Sequence, residues 1–99
     1  MSRLSIITED QPMRPANPIH PGQMLLHEFL LPAKTSQRAF AKRLGWTAAK
    51  LNELITGKRG ITADSALDLA AALKTSPELW LNLQMHYDLA RAVSRRAAS

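Results

Sequence analysis

Cysteine is absent from these 99 residues, so neither a disulfide framework nor a zinc finger is available. No apolar run approaches the roughly 18 residues that a membrane span requires. The amino terminus also lacks the basic-then-apolar layout of a secretory leader, and the expectation is a soluble cytoplasmic protein. Enzyme motifs are missing too. His27-Glu28 opens a zincin-like pattern, but its second histidine would fall at Leu31. His20, His27 and His86 lie on separate elements without cysteine partners, so neither a metal nor a cofactor is expected. Gly57-Lys58 has the look of a phosphate-loop ending, yet Arg59 replaces its Ser/Thr and Asn52 its first glycine. There is no Gly-x-Ser-x-Gly elbow and no internal repeat, so no catalytic residue is assigned.

Acidic residues are also scarce, eight against thirteen Lys and Arg, for a net charge of +5. Their distribution is uneven. Between Lys34 and Arg59 stand Lys34, Arg38, Lys42, Arg43, Lys50, Lys58 and Arg59, with Glu53 the sole acid. This segment carries +6 and the remainder nets −1. Cations concentrated on one motif are the electrostatic footprint of a DNA-binding face, whereas a merely solvated surface would spread them.

That motif is residues 36–57, SQRAFAKRLGWTAAKLNELITG. Phe40, Ala41 and Leu44 fall at helical spacing in its first half, and Leu51, Leu54 and Ile55 in its second. Gly45 sits where a chain leaving one helix for another needs positive φ, and small Ala41 lets the two helices cross closely. Ser36 and Thr47 are placed as N-caps, with Trp46 and Leu51 able to staple the second helix start. The pattern describes a helix-turn-helix, whose second helix enters the DNA major groove.

Around it the chain reads as all-α with five helices. Residues 1–17, with Pro12, Pro15 and mixed charge, are expected to form a flexible arm, and 18–99 a single domain. Pro21 suits the first turn of helix one, Leu25, Leu26, Phe29 and Leu30 form its inner stripe, and Pro32 ends it. Helix two runs from about 38 to 44 and helix three from about 48 to 55, where Gly57 fits a left-handed stop. Thr62 and Asp64 open helix four, with Ile61 stapled on Ala66 and Leu67, Leu69, Ala70 and Leu73 packing inward. Ser76-Pro77-Glu78 opens a long fifth helix reaching about 95 or 96. Its apolar residues exceed what one small core can cover, which predicts a homodimer through Leu79, Leu83, Tyr87 and Ala90. Trp80 is expected in the core, and Asn82 is expected to bond a neighbouring loop.

The helix-turn-helix resembles phage-repressor-like (Cro/C1, XRE-type) domains, which implies a lambda-repressor-like fold with a long C-terminal helix. More specifically, HPG at 20–22, GKRGIT at 57–62 and SPELWLNLQMHYDL at 76–89 resemble HigA-type antitoxins. The likeness covers roughly residues 17 to 90. It implies a dimeric repressor of its own toxin–antitoxin operon that also silences a partner toxin of the HigB/RelE-like type, a small ribosome-dependent mRNA endonuclease. Gln37 and Arg38 match positions that touch DNA in repressor-like domains.

With Leu51, Leu54 and Ile55 turned inward, Ala48, Ala49 and Asn52 face outward, flanked by Lys50 and Glu53. Asn52 can pair bidentately with adenine, and Lys50 can reach guanine or a phosphate. Thr56, Lys58 and Arg59 are placed to grip the DNA backbone. Many family members carry long polar side chains where this chain has Ala48 and Ala49, so direct readout is expected to be sparse, with more weight on DNA shape. Glu53 is expected to pair with Lys50 or Arg59. A stand-alone repressor without a toxin, and a protein-interaction module that binds no DNA, are the competing readings.

Overall fold

The computed structural model describes residues 18–98; the expected arm, 1–17, lies outside them. Five helical segments follow one another without a strand among the described residues. Helix α1 (Pro21–Leu25) continues directly into a π-helical turn (Leu26–Leu30). That wider turn, closed by Leu31 N–H donating to Leu26 O at 2.9 Å, stands just before Pro32. The Pro32 ring would collide with the carbonyl four residues back in a regular α-helix, so the segment ends there.

Helices α2 (Gln37–Leu44) and α3 (Ala48–Ile55) form the helix-turn-helix. Ser36 Oγ accepts from Ala39 N–H at 3.1 Å and Thr47 Oγ1 from Lys50 N–H at 3.0 Å, so both helices start on the caps the sequence offers. Between them Gly45 adopts φ 75°, and Trp46 N–H closes back on Ala41 O at 2.9 Å. This left-handed stop turns the chain sharply enough to bring α3 across α2.

Helix α4 (Ala63–Leu73) begins with a reciprocal capping box, Thr62 Oγ1 accepting from Ser65 N–H and Ser65 Oγ from Thr62 N–H. It packs along α5 (Pro77–Ala98), which runs a few residues past the expected end. The core gathers Leu25, Leu30, Phe40, Ala41, Leu51, Leu54, Ile55, Ile61, Ala66, Leu69 and Trp80. Trp80 is fully enclosed, its indole N–H donating to Thr75 Oγ1 at 2.8 Å.

Two expectations are corrected. Leu67 is 57% exposed, because Ala66, Leu69 and Ala70 occupy the inward stripe of α4 and Leu67 lies off it. Asn82 is exposed on α5, and Gln84, two residues on, bonds the neighbouring loop instead.

Lys74 closes α4 at φ 58°, a left-handed position that costs a side-chain-bearing residue free energy. Lys74→Gly is therefore expected to stabilise the fold by about 1 kcal/mol, read as a raised urea midpoint at unchanged m-value.

Candidate nucleic-acid interface

Helix α3 presents Ala48, Ala49 and Asn52 to solvent while Leu51, Leu54 and Ile55 are buried beneath it, as the spacing predicts. Helix α2 sets Gln37 alongside: Asn52 Nδ2 donates to Gln37 Oε1 at 3.3 Å. This bond fixes both amides. Asn52 keeps a second N–H and its carbonyl for an external partner, and Gln37 keeps its own NH₂ as a donor. Arg38 is exposed beside Gln37 in the first turn of α2.

Lys50 is half-buried, its ammonium resting 4.2 Å from the centroid of the Trp46 ring. Trp46 is itself anchored, its indole N–H donating to Asp68 Oδ2 on α4 at 2.9 Å. Nothing in the sequence spacing marks this Asp68–Trp46–Lys50 chain, which ties a cation of α3 to a different helix. Glu53 pairs with Arg59, Arg59 Nη2 donating to Glu53 Oε1 at 2.6 Å. Of its two expected partners, Glu53 thus takes Arg59, and Lys50 goes to the indole.

Beyond α3 the chain folds back on the helix end. Thr56 Oγ1 donates to Asn52 O at 2.8 Å, Lys58 N–H to Glu53 O at 2.8 Å, and Gly57 takes φ 83°. Lys58, Arg59 and Thr56 are all exposed on this loop. The candidate interface is thus a polar, cationic surface, assembled from the α2 start, the exposed side of α3 and residues 56–59. Among the described residues no cluster of His, Cys, Asp and Glu could hold a metal, and no helix is long and apolar enough to cross a membrane.

Sequence reasoning missed what stands behind the surface. His20 is the N-cap of α1, its Nδ1 accepting from Gly22 N–H at 3.0 Å. Gln23 Nε2 donates to Ile55 O at 2.8 Å and so satisfies a carbonyl at the end of α3. Histidine is an uncommon cap, and a glutamine reaching 32 residues along the chain leaves no periodic trace.

Burial lowers the His20 pKa from its ordinary 6.5, reinforced by Arg91 and opposed by Asp88 and a backbone hydrogen bond with Arg59. The fold favours the neutral ring. Its contribution to stability is complete above about pH 6.5 and is lost as pH falls through the lowered folded-state value. Thermal midpoints recorded from pH 7.5 downward are expected to show this loss, with a flatter profile in His20→Asn, where the titrating group is gone.

On α5, the residues expected at a dimer contact separate. Ala90 is 3% exposed and Leu83 half-buried, both packed within the protomer, and Tyr87 sits edge-on to His20 with ring centroids 4.8 Å apart. Leu79 is exposed, and the larger outward surface comprises Leu81, Met85, Leu89 and Val93 at four-residue spacing.

The helix-turn-helix family profile matches residues 26–80, which include α2, α3, α4 and the start of α5. The antitoxin HigA-1 of Vibrio cholerae is 42% identical over 72 residues, spanning 73% of this chain and 68% of that one. A solved structure of the Pseudomonas aeruginosa antitoxin HigA with the higBA promoter superposes with TM-score 0.78 at 40% identity, covering 82% of this chain and 88% of that one. The chain belongs to the HigA-type antitoxins of the helix-turn-helix family. Virulence-associated protein I of Dichelobacter nodosus is also similar, 43% identical over 74 residues, with 75% of this chain and 68% of that one covered. The relatives that define this family are helix-turn-helix antitoxins, one of them solved with promoter DNA, and not enzymes. The antitoxin resemblance carried by HPG, GKRGIT and SPELWLNLQ therefore holds at the level of family and fold.

Proposed function

We propose that this HigA-type chain is a homodimeric, sequence-specific repressor of its own operon that also binds and neutralises a HigB/RelE-like mRNA-endonuclease toxin in the cytoplasm. The observation that carries the repressor half is the surface where Asn52, oriented by Gln37, stands exposed on α3 inside a segment of charge +6. The solved antitoxin HigA that this chain resembles is itself bound to promoter DNA.

In this reading α3 enters the major groove. Asn52 pairs with a base edge, its amide held in register by Gln37. Ala48 and Ala49 offer only methyl contact, which suits a thymine methyl and a close approach of the helix start. Gln37, Arg38, Lys50, Thr56, Lys58 and Arg59 hold phosphates and fix register. Specificity then rests on few base contacts together with the shape of the operator.

A second copy is the proposed cover for the exposed apolar side of α5, through Leu79 and the neighbouring Leu81, Met85 and Leu89. Leu83, Tyr87 and Ala90 support that surface from beneath. Pairing the copies would present two α3 helices to two half-sites about one DNA turn, ~34 Å, apart.

The test is a fluorescence-anisotropy titration against DNA from upstream of the gene, beside a shuffled duplex, at low and moderate salt. Selectivity of about 10³-fold or more is expected. Equal binding to both duplexes would sink the repressor half. Co-expression with the small reading frame adjacent to the gene reads the toxin half separately: growth arrest relieved by this chain supports it, and no relief removes it.

A further inference from the structure

Behind the proposed DNA-gripping loop, three segments distant in sequence meet. The His20 ring uses Nδ1 to accept from Gly22 N–H, so in its neutral form the proton sits on Nε2. The ring also lies against the loop, since a methyl group added at Gly57 would stand 3.9 Å from its Cδ2 and Cγ. One imidazole thus caps α1 and packs beside the loop that carries Lys58 and Arg59.

Helix α5 completes the arrangement. Tyr87 packs edge-on to His20 at 79° between ring planes. Gln84 Oε1 accepts from Ile61 N–H at 2.7 Å, and Gln84 Nε2 donates to Asp88 Oδ1 at 2.9 Å. The fit is close: a methyl group added at Gly60 would lie 3.0 Å from the same Gln84 amide. On the far side of the loop, Arg59 is paired with Glu53 of α3. The loop carrying Lys58 and Arg59 is therefore flanked on its inner side, by the His20 ring beside Gly57 and by the Gln84 amide at Ile61.

We infer that His20, Gln84 and Tyr87 are positioning residues for DNA binding, setting the Lys58–Arg59 loop against the phosphate backbone from helix α5. None of the three touches DNA. The inference rests on the DNA-binding reading above and adds to it a set of residues outside the helix-turn-helix on which operator affinity depends. It also makes that affinity sensitive to His20 protonation. A second proton removes the Nδ1 acceptor from Gly22 and leaves a partly buried cation near Arg91, which Asp88 and the Arg59 backbone offset only in part.

The experiment compares wild type, His20→Asn and Gln84→Ala. Asparagine is itself a good N-cap, so His20→Asn keeps an acceptor for Gly22 N–H while removing the ring that meets Tyr87 and Arg59. Amide hydrogen exchange reads the loop without DNA, and anisotropy reads operator affinity and its salt slope. Both variants are expected to speed exchange at residues 58–61 and weaken operator binding, each by about tenfold, with the core amides of α4 unchanged. In wild type, loop protection factors, corrected for the intrinsic pH dependence of amide exchange, should fall and operator dissociation rise together as pH is lowered below 6.5, and His20→Asn should remove that shared change.

Unchanged loop exchange in both variants would overturn the inference. Exchange accelerated throughout the core would also overturn it, since His20 and Gln84 would then serve only the fold. If loop exchange responds but wild type binds operator and shuffled DNA equally, the DNA-binding reading fails first and the inference with it.

Discussion

Gly22→Ala is expected to destabilise the fold by about 3 kcal/mol or more, lowering Tm by about 12 °C or more. A Cβ built at Gly22 falls 1.9 Å from Leu54 O, 2.6 Å from Leu54 C and 2.8 Å from Ile55 Cα. All three are backbone atoms, so no rotamer change relieves the collision. Helix α1 would have to lift away from α3. That movement would also pull Gln23 from the Ile55 carbonyl and part Leu25 from the core that it shares with Leu54. The loss therefore combines overpacking with a broken cap and opened apolar contact. Chemical denaturation followed by circular dichroism checks it, and a midpoint within 0.2 M urea of wild type, on the order of 0.5 kcal/mol at ordinary m-values, would remove the close-approach explanation. The methyl group of alanine is the smallest possible addition, so every larger residue at 22 should be worse.

This position shows where the sequence is legible and where it is not. HPG could be read as a helix start because Pro21 in a first turn has a local cause. Gly22 carried no such local mark, because its constraint is a backbone that arrives from residues 54 and 55. The same division runs through the chain. Ser36, Gly45, Thr47 and Thr62 act on atoms a few residues away, and their roles follow from the residue type alone. A leucine in an apolar stretch favours burial, which points Leu67 inward, yet Ala66, Leu69 and Ala70 already fill that side of α4. Lys74 occupies a left-handed position with no glycine to signal it.

The interface divides in the same way. Helical period places Asn52 and Ala48 outward, and both are exposed. The Gln37–Asn52 bond, across 15 residues, follows from the way a helix-turn-helix packs its two helices. Lys50 resting on Trp46 depends on Asp68 from a third helix, and no spacing within α3 could disclose it. Nothing in the spacing marks Gln84 either, because its partner Ile61 lies 23 residues away.

Replacing Lys50, Lys58 and Arg59 together by alanine is expected to weaken operator binding about 10²-fold near physiological salt and to flatten the salt slope by about 3. Each cation that neutralises a phosphate releases counterion, contributing ~0.9 to the slope of log K against log salt, or about fivefold in affinity at 0.15 M. The three are not equivalent. Lys58 is exposed on the loop and loses only its phosphate contact. Arg59 must share its guanidinium with Glu53, so Arg59→Ala also uncovers a carboxylate beside the DNA and should cost more than Lys58→Ala. Lys50 must leave the Trp46 ring or bring its ammonium to a phosphate while still against it, which makes its own share the smallest. Asn52→Ala should behave in the opposite manner. It should leave the salt slope in place and cost about 1–3 kcal/mol on operator DNA alone, because a base contact discriminates and a phosphate contact does not. Titrations of the four variants on operator and shuffled duplexes across salt separate these outcomes. A triple variant with an undiminished slope would mean that the phosphates are held elsewhere. An Asn52→Ala loss shared equally by both duplexes would mean that Asn52 grips the backbone and that the operator is read through its shape.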